Sequence, residues 1–157
     1  MSVLQELLRF HQWANQAVLA HCRTVDPLIL DAPPPPGVYG SIRATLAHLA
    51  TAEAVYVSRL CNEEPQRLPS DVDLEVIRAS LERTGAALIE LAQAIPPDQI
   101  ISFNSPTFGA VSTPAWVIFA QAIAHGCAHR AQLATLFTQL GAPLPELDLW
   151  RFAGIAR

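Results

Sequence analysis

His125 and His129 stand four residues apart inside the apolar stretch at 115–140. At about 100° per helical residue, positions i and i+4 project from one face, so two imidazoles at this spacing can point at a common atom. A divalent transition metal is one partner that satisfies both rings. The stripe carrying them, Ile118, Ala122, His125, His129, Gln132 and Leu136, advances in alternating steps of four and three. This reading sets both histidines where core hydrophobes are expected, and small Ala122, one turn earlier, leaves room beside them.

Such a site needs a further protein ligand. The candidates are His11, His21, His48, Glu53 and other carboxylates. His48 is the choice, because it sits among Leu46, Leu49 and alanines in ATLAHLATAE and its ring is expected to face inward. Glu53 lies five residues on, about 140° round the helix, and is expected to form an ion pair or to support a ligand from behind. His11, near the inner stripe of its helix, is expected to make a structural hydrogen bond in preference to a fringe contact with the metal pocket. His21, beside Cys22 and Arg23, is expected to be a helix-end charge or simply solvated.

The neighbours of the pair limit the chemistry. Gly126 costs a helix up to about 1 kcal/mol relative to Ala, which points to close helix packing, and it excludes the HExxH motif with its glutamate base. Cys127 lies about 200° from each histidine, cannot share their metal, and reads as a small buried hydrophobe. Arg130 points about 100° from His129 and is expected to hold a neighbouring helix or carboxylate. Trp13 and Asn15 could line a pocket mouth, but interhelix packing explains them more simply. The chain has no GxSxG elbow, no glycine-rich phosphate loop and no paired catalytic carboxylates, so esterase, nucleotide-binding and glycosidase readings lack support.

Four helices must position these residues. Ser2 with Gln5 is a capping-box start for a first helix carrying Leu4, Leu8, His11, Asn15 and Val18, which continues to about Thr24, ahead of Pro27. A proline run at 33–36, with Gly37 and Gly40, forms an extended connection; its use as a ligand for an aromatic-lined recognition domain is the less economical reading. Ser41 then caps a second helix to about Cys61, with Ile42, Leu46, Leu49, Tyr56 and Leu60 on one face. Leu74, Ile77, Leu81, Thr84, Leu88, Leu91 and Ile95 mark a third helix that stops at Pro96 and Pro97. Residues 100–112, β-branched and aromatic around an Asn-Ser-Pro turn, predict a short hairpin or extended excursion. Thr113 and Pro114, as cap and first helical residue, start the fourth helix, and Gly141 with Pro143 stops it. The fold expected is all-α: a four-helix bundle with long connections and a hairpin between helices three and four, with residues 1–157 as one domain.

Composition agrees with a single domain. The 157 residues are 51% hydrophobic and 15% charged, enough to bury a core. With 10 basic against 14 acidic residues, a net charge of −4 and no basic run, nucleic-acid binding is disfavoured. No stretch reaches the roughly 20 apolar residues of a membrane span, and the N-terminal residues lack the pattern of a signal peptide or anchor. Three widely spaced cysteines without a CxxC argue against a disulfide framework or thiolate zinc cluster and fit a reducing cytoplasm.

Taken in order, these residues resemble the DinB-like (DinB/YfiT-like) metal-binding four-helix bundles across essentially the whole chain. Trp13 and Asn15 match the family's W-x-N arrangement, His48 falls at its first ligand position, and His125, His129, Arg130 and Gln132 match H-x-x-x-H-R-x-Q, followed by the Leu-Gly-x-x-x-Pro ending at Gly141 and Pro145. Ala128 departs from the Asn that relatives often carry there, which removes one expected hydrogen bond. The resemblance implies a divalent metal, zinc, nickel or iron, on His48, His125 and His129, with positions open to water or a small-molecule substrate. It also implies thiol S-transferase-like or isomerase-like chemistry with a low-molecular-weight thiol, or a hydrolase using water, in a homodimer. The alternative is a stress-associated binding or scaffold protein in which a metal or histidine cluster is structural.

Overall fold

The computed structural model describes residues 2–155; the expected domain limits, 1 and 157, lie outside them. Each long helix begins where a side chain can satisfy its free N–H groups. Ser2 accepts from the Gln5 N–H while the Gln5 side chain accepts from the Ser2 N–H, the expected capping box, and α1 runs Val3–Cys22. Asp26 caps a single turn, α2 (Pro27–Leu30), that the sequence pattern did not reveal. Ser41 accepts from Ala44 N–H to start α3 (Ile42–Cys61), which ends on Asn62 in the left-handed region at φ 57°. Asp73 starts α4 (Leu74–Ala94), and Pro96 and Pro97 follow its end.

The hairpin expected between the third and fourth long helices forms from β1 (Ile100–Ser105) and β2 (Gly109–Pro114), paired antiparallel with Ile100 opposite Pro114 and Ser105 opposite Gly109. It runs further than anticipated and takes Thr113 and Pro114 into its second strand. Thr113 therefore does not cap α5 (Ala115–Gln139); Pro114 holds the cap position without a side-chain bond. The first free N–H groups of α5 instead donate to the turn before the hairpin, Ala115 to the Gln99 carbonyl and Trp116 to that of Pro97. A last turn, α6 (Leu149–Phe152), also unforeseen, brings Phe152 against Phe10 and Trp13, so Trp13 serves packing as expected.

The four long helices form a bundle in which α1 and α3 each pack on both α4 and α5, while the hairpin rests against α3 and α5. The core has two apolar clusters. One gathers Val18, Leu46, Leu49, Ile77, Leu81, Leu133 and Phe137; the other gathers Leu8, Tyr56, Leu88, Ile118 and Phe119. On every long helix the residue numbers between the two clusters are occupied by polar groups: His11 and Asn15 on α1, Glu53 on α3, Thr84 on α4, Arg130 on α5. A buried polar layer therefore divides the bundle, which explains why His11, Asn15 and Thr84 interrupt otherwise apolar stripes. No helix among the described residues is long and apolar enough to cross a membrane.

Candidate metal centre

His48 on α3 and His125 and His129 on α5 converge. Nε2 of His125 lies 3.2 Å from Nε2 of His48 and 3.1 Å from that of His129. Together they form the group of possible metal ligands found among the described residues, with all their ligand atoms within 4.8 Å of one another. The three rings are half-buried, which corrects the expectation that the pair on α5 sits in the core. The buried stripe of α5 runs instead through Ile118, Phe119, Ala122, Gly126, Arg130, Leu133 and Phe137, one position along from each histidine. Because α5 is apolar on almost every side, the two stripes look alike in sequence, and the packing of α1 decides between them.

The donor chemistry fits a cation. His129 Nδ1 donates to Oε1 of Gln132 at 3.0 Å, which leaves its Nε2 as a bare lone pair aimed at His125. Two neighbours meet His125 Nε2, yet a neutral ring offers that nitrogen either one proton or one lone pair. Hydrogen bonds alone therefore cannot satisfy both short contacts. One cation shared by three lone pairs can, and metal–imidazole bonds of about 2.0–2.1 Å place such nitrogens roughly 2.9–3.4 Å apart for right-angled to tetrahedral geometry. Burial, reinforced by His129, His48 and His11, pushes the His125 imidazole down to about 4; burial and then His129 lower that of His48. The neutral, ligating forms are thus favoured.

The polar layer stands directly behind α5. His11 Nε2 donates to Oε2 of Glu53 at 3.0 Å, and both residues are almost wholly buried, at 1% and 2% exposure. Asn15 Nδ2 and the Thr84 hydroxyl donate to the same carboxylate at 3.0 and 2.8 Å. Arg130 Nη1 donates to Asn15 Oδ1 at 2.7 Å and approaches His11 Nδ1 at 3.2 Å. A single tautomer of His11, with its proton on Nε2, satisfies both neighbours. Glu53 and Arg130 therefore balance each other's charge through His11 and Asn15, and burial lowers the Arg130 pKa, partly offset by Cys127 and Glu53. Arg130 grips a neighbouring helix and His11 makes a structural bond, as expected, while Glu53 is held by hydrogen bonds from α1 and α4 and makes no direct ion pair with Arg130 among the described residues. Gly126 makes this contact possible, as its close-packing reading required: a Cβ there would come 2.7 Å from His11 Nδ1 and 2.8 Å from Arg130 Nη1.

Among the remaining residues, the reading of Cys127 changes. His21 lies in the last turn of α1, as expected, and is not simply solvated: its Nε2 donates to the Ala142 carbonyl at 2.9 Å and its ring meets Phe137 edge-on. Cys127 is exposed rather than a buried hydrophobe, and Arg130 Nη2 donates to its sulfur at 3.3 Å. Ala128 is exposed as well, and the His129 ring finds its polar partner in Gln132. Two residues at the site carried no signal that the motif reading used. Tyr39, at the end of the proline connection, sets its ring 4.5 Å from that of His48 and 5.9 Å from that of His129. Tyr56 places its ring 6.0 Å from His125 on the hairpin side.

A four-helix bundle with a hairpin and a three-histidine cluster that can bind metal is thus the class that fold and site define. The chain belongs to the DinB family, whose pattern matches residues 1–156. Among solved structures it is similar to a DinB-like protein from Bacillus cereus ATCC 10987, with 18% identity and a TM-score of 0.66 over 89% of this chain and 94% of that one. It is also similar to TT2238, a four-helix bundle protein, with 25% identity and a TM-score of 0.62 over 85% of this chain and 99% of the other. No curated protein matches it.

Proposed function

We propose that the protein is a metal-dependent enzyme in which His48, His125 and His129 hold zinc, nickel or iron and a small thiol or water is activated against an electrophilic small-molecule substrate. The observation that carries this reading is the convergence of three Nε2 atoms from half-buried rings on two helices, with two short contacts that hydrogen bonds alone cannot satisfy together. A divalent ion so held supplies Lewis acidity and lowers the pKa of a thiol or water in its open positions. The chain's own residues prepare the place. Gln132 fixes the His129 tautomer, the ring of Tyr39 covers His48 and His129 on one side, and the polar layer behind Gly126 anchors α5 against α1.

Half-exposed ligands support an open site over the scaffold alternative, since structural zinc usually has four protein ligands and a closed shell. Exposed Trp116, Leu149 and Trp150 are consistent with the homodimer that the family resemblance implies, which light scattering tests. The test of the catalytic reading is elemental analysis of protein purified without added metal, followed by a screen of thiol-plus-electrophile pairs. One equivalent of a transition metal, lost in His125→Ala, and turnover that depends on it are expected. Full occupancy in that variant overturns the ligand set; an ion without exchangeable water overturns the enzyme.

A further inference from the structure

A groove of about 240 Å³ lies between the hairpin and the α3–α5 pair, lined by Phe103, Val111, Val117 and Ile118 together with Tyr56 and Gln121. Tyr56 stands between the groove and the histidine cluster: it lines the one, and its ring is 6.0 Å from that of His125 in the other. Its walls are largely apolar, and its size, below the usual 300–1,000 Å³ of drug-sized pockets, suits one ring or a short chain.

One wall is charged. Arg59 lies with Cζ 4.3 Å from the centre of the Phe103 ring and 6.0 Å from that of Tyr56. It is half-buried, and among the described residues it has no ion pair. Glu63 and Glu64 line the larger cavity on its other side, but neither reaches it. Desolvation lowers the Arg59 pKa, with only Tyr56 acting against it. A guanidinium held on aromatic faces, partly stripped of water and left without a counter-charge beside an apolar groove, is a receptor for an anion.

We propose that this groove holds the non-reacting end of the substrate, and that this end is a small aromatic or aliphatic carboxylate paired with Arg59. That the ligand is a substrate rests on the catalytic reading of the histidine cluster; the preference of the groove for an apolar carboxylate does not. Tyr56 is the hinge of the arrangement, with the reacting end of the molecule on its His125 side and the anchored end on its Arg59 side.

The probes are 3-phenylpropanoate and its neutral amide, titrated into the metal-free full-length chain and followed by backbone amide NMR shifts. Metal-free protein keeps a carboxylate from reporting on the histidine cluster. The acid should bind at least about ten-fold tighter than the amide, as charge-assisted hydrogen bonds allow, with shifts centred on Val111, Val117 and Ile118. Arg59→Gln should erase the preference, Arg59→Lys should retain part of it, and Val117→Trp, which fills the groove, should weaken both probes. Equal binding of acid and amide, a preference that survives Arg59→Gln, or binding indifferent to Val117→Trp overturns the proposal. Turnover without this preference would sink it alone; the preference without any metal-dependent turnover would sink only the catalytic reading.

Discussion

The ring of His11 on α1 occupies the space that a side chain at Gly126 on α5 would need: a Cβ built there falls 2.7 Å from His11 Nδ1. Alanine at this position would gain up to about 1 kcal/mol of helix propensity and would have to displace His11 or Arg130, both buried and both hydrogen-bonded. Overpacking of this kind costs about 1–3 kcal/mol. Gly126→Ala should therefore be a net destabilisation, read as a lower urea midpoint, against the usual direction for Gly→Ala on a helix. An unchanged or higher midpoint would show that α1 and α5 are not locked by this contact.

Glu53 has the largest expected effect on stability. Its carboxylate receives His11, Asn15 and Thr84 and balances Arg130 inside the bundle. Glu53→Ala would leave three buried donors without their acceptor, at about 1–3 kcal/mol for each one stranded, and would remove a carboxylate near the Arg130 guanidinium. Chemical unfolding measures the loss. A loss below about 1 kcal/mol would mean that water replaces the carboxylate with little penalty.

Gln132 should act on the ion rather than on the fold. It is half-buried and accepts the His129 Nδ1 proton. Gln132→Leu removes the acceptor that fixes the tautomer, and losses of about 10–100-fold in metal affinity are typical of such supporting contacts. Competition with a chromophoric chelator should show that loss while circular dichroism stays unchanged. Equal affinity in the two proteins would assign the tautomer to some other cause.

The pH dependence of the metal-free protein follows from the histidine cluster. His125 is pushed down to about 4 in the folded chain, by burial first and then by His129, His48 and His11, against an ordinary value near 6.5 when unfolded. Between these values the unfolded chain binds more protons, so stability fully present above about pH 6.5 should fall as pH drops towards 4. His48, lowered in the same direction, adds to the slope. Urea midpoints across this window should decline, and His125→Asn should flatten the decline. A profile equally steep in that variant would move the effect to other groups.

The helix starts at Ser2 and Ser41 and the stop ahead of Pro96 were legible because capping and proline chemistry act over a few residues. The cluster of His48 with His125 and His129 was legible because a spacing of four and a histidine in an apolar run are both local patterns. The orientation of α5 was not. A stripe through His125 and one through Gly126 and Arg130 are equally apolar, and the choice depends on His11, more than a hundred residues away. The polar layer was hidden for a related reason: each helix contributes one or two members, and each reads alone as a single interruption. Tyr39 belongs to irregular chain after Gly37, at φ 85°, where no periodicity reports direction.

His48 and His125 are 77 residues apart in the chain, yet their ring nitrogens nearly touch. Any ion they share would act as a removable cross-link of the folded chain, tying α3 to α5 while leaving the seam between α1 and α4 to its own packing and polar contacts. Chelation should therefore loosen the molecule unevenly, with amide exchange rising first along α3 and α5.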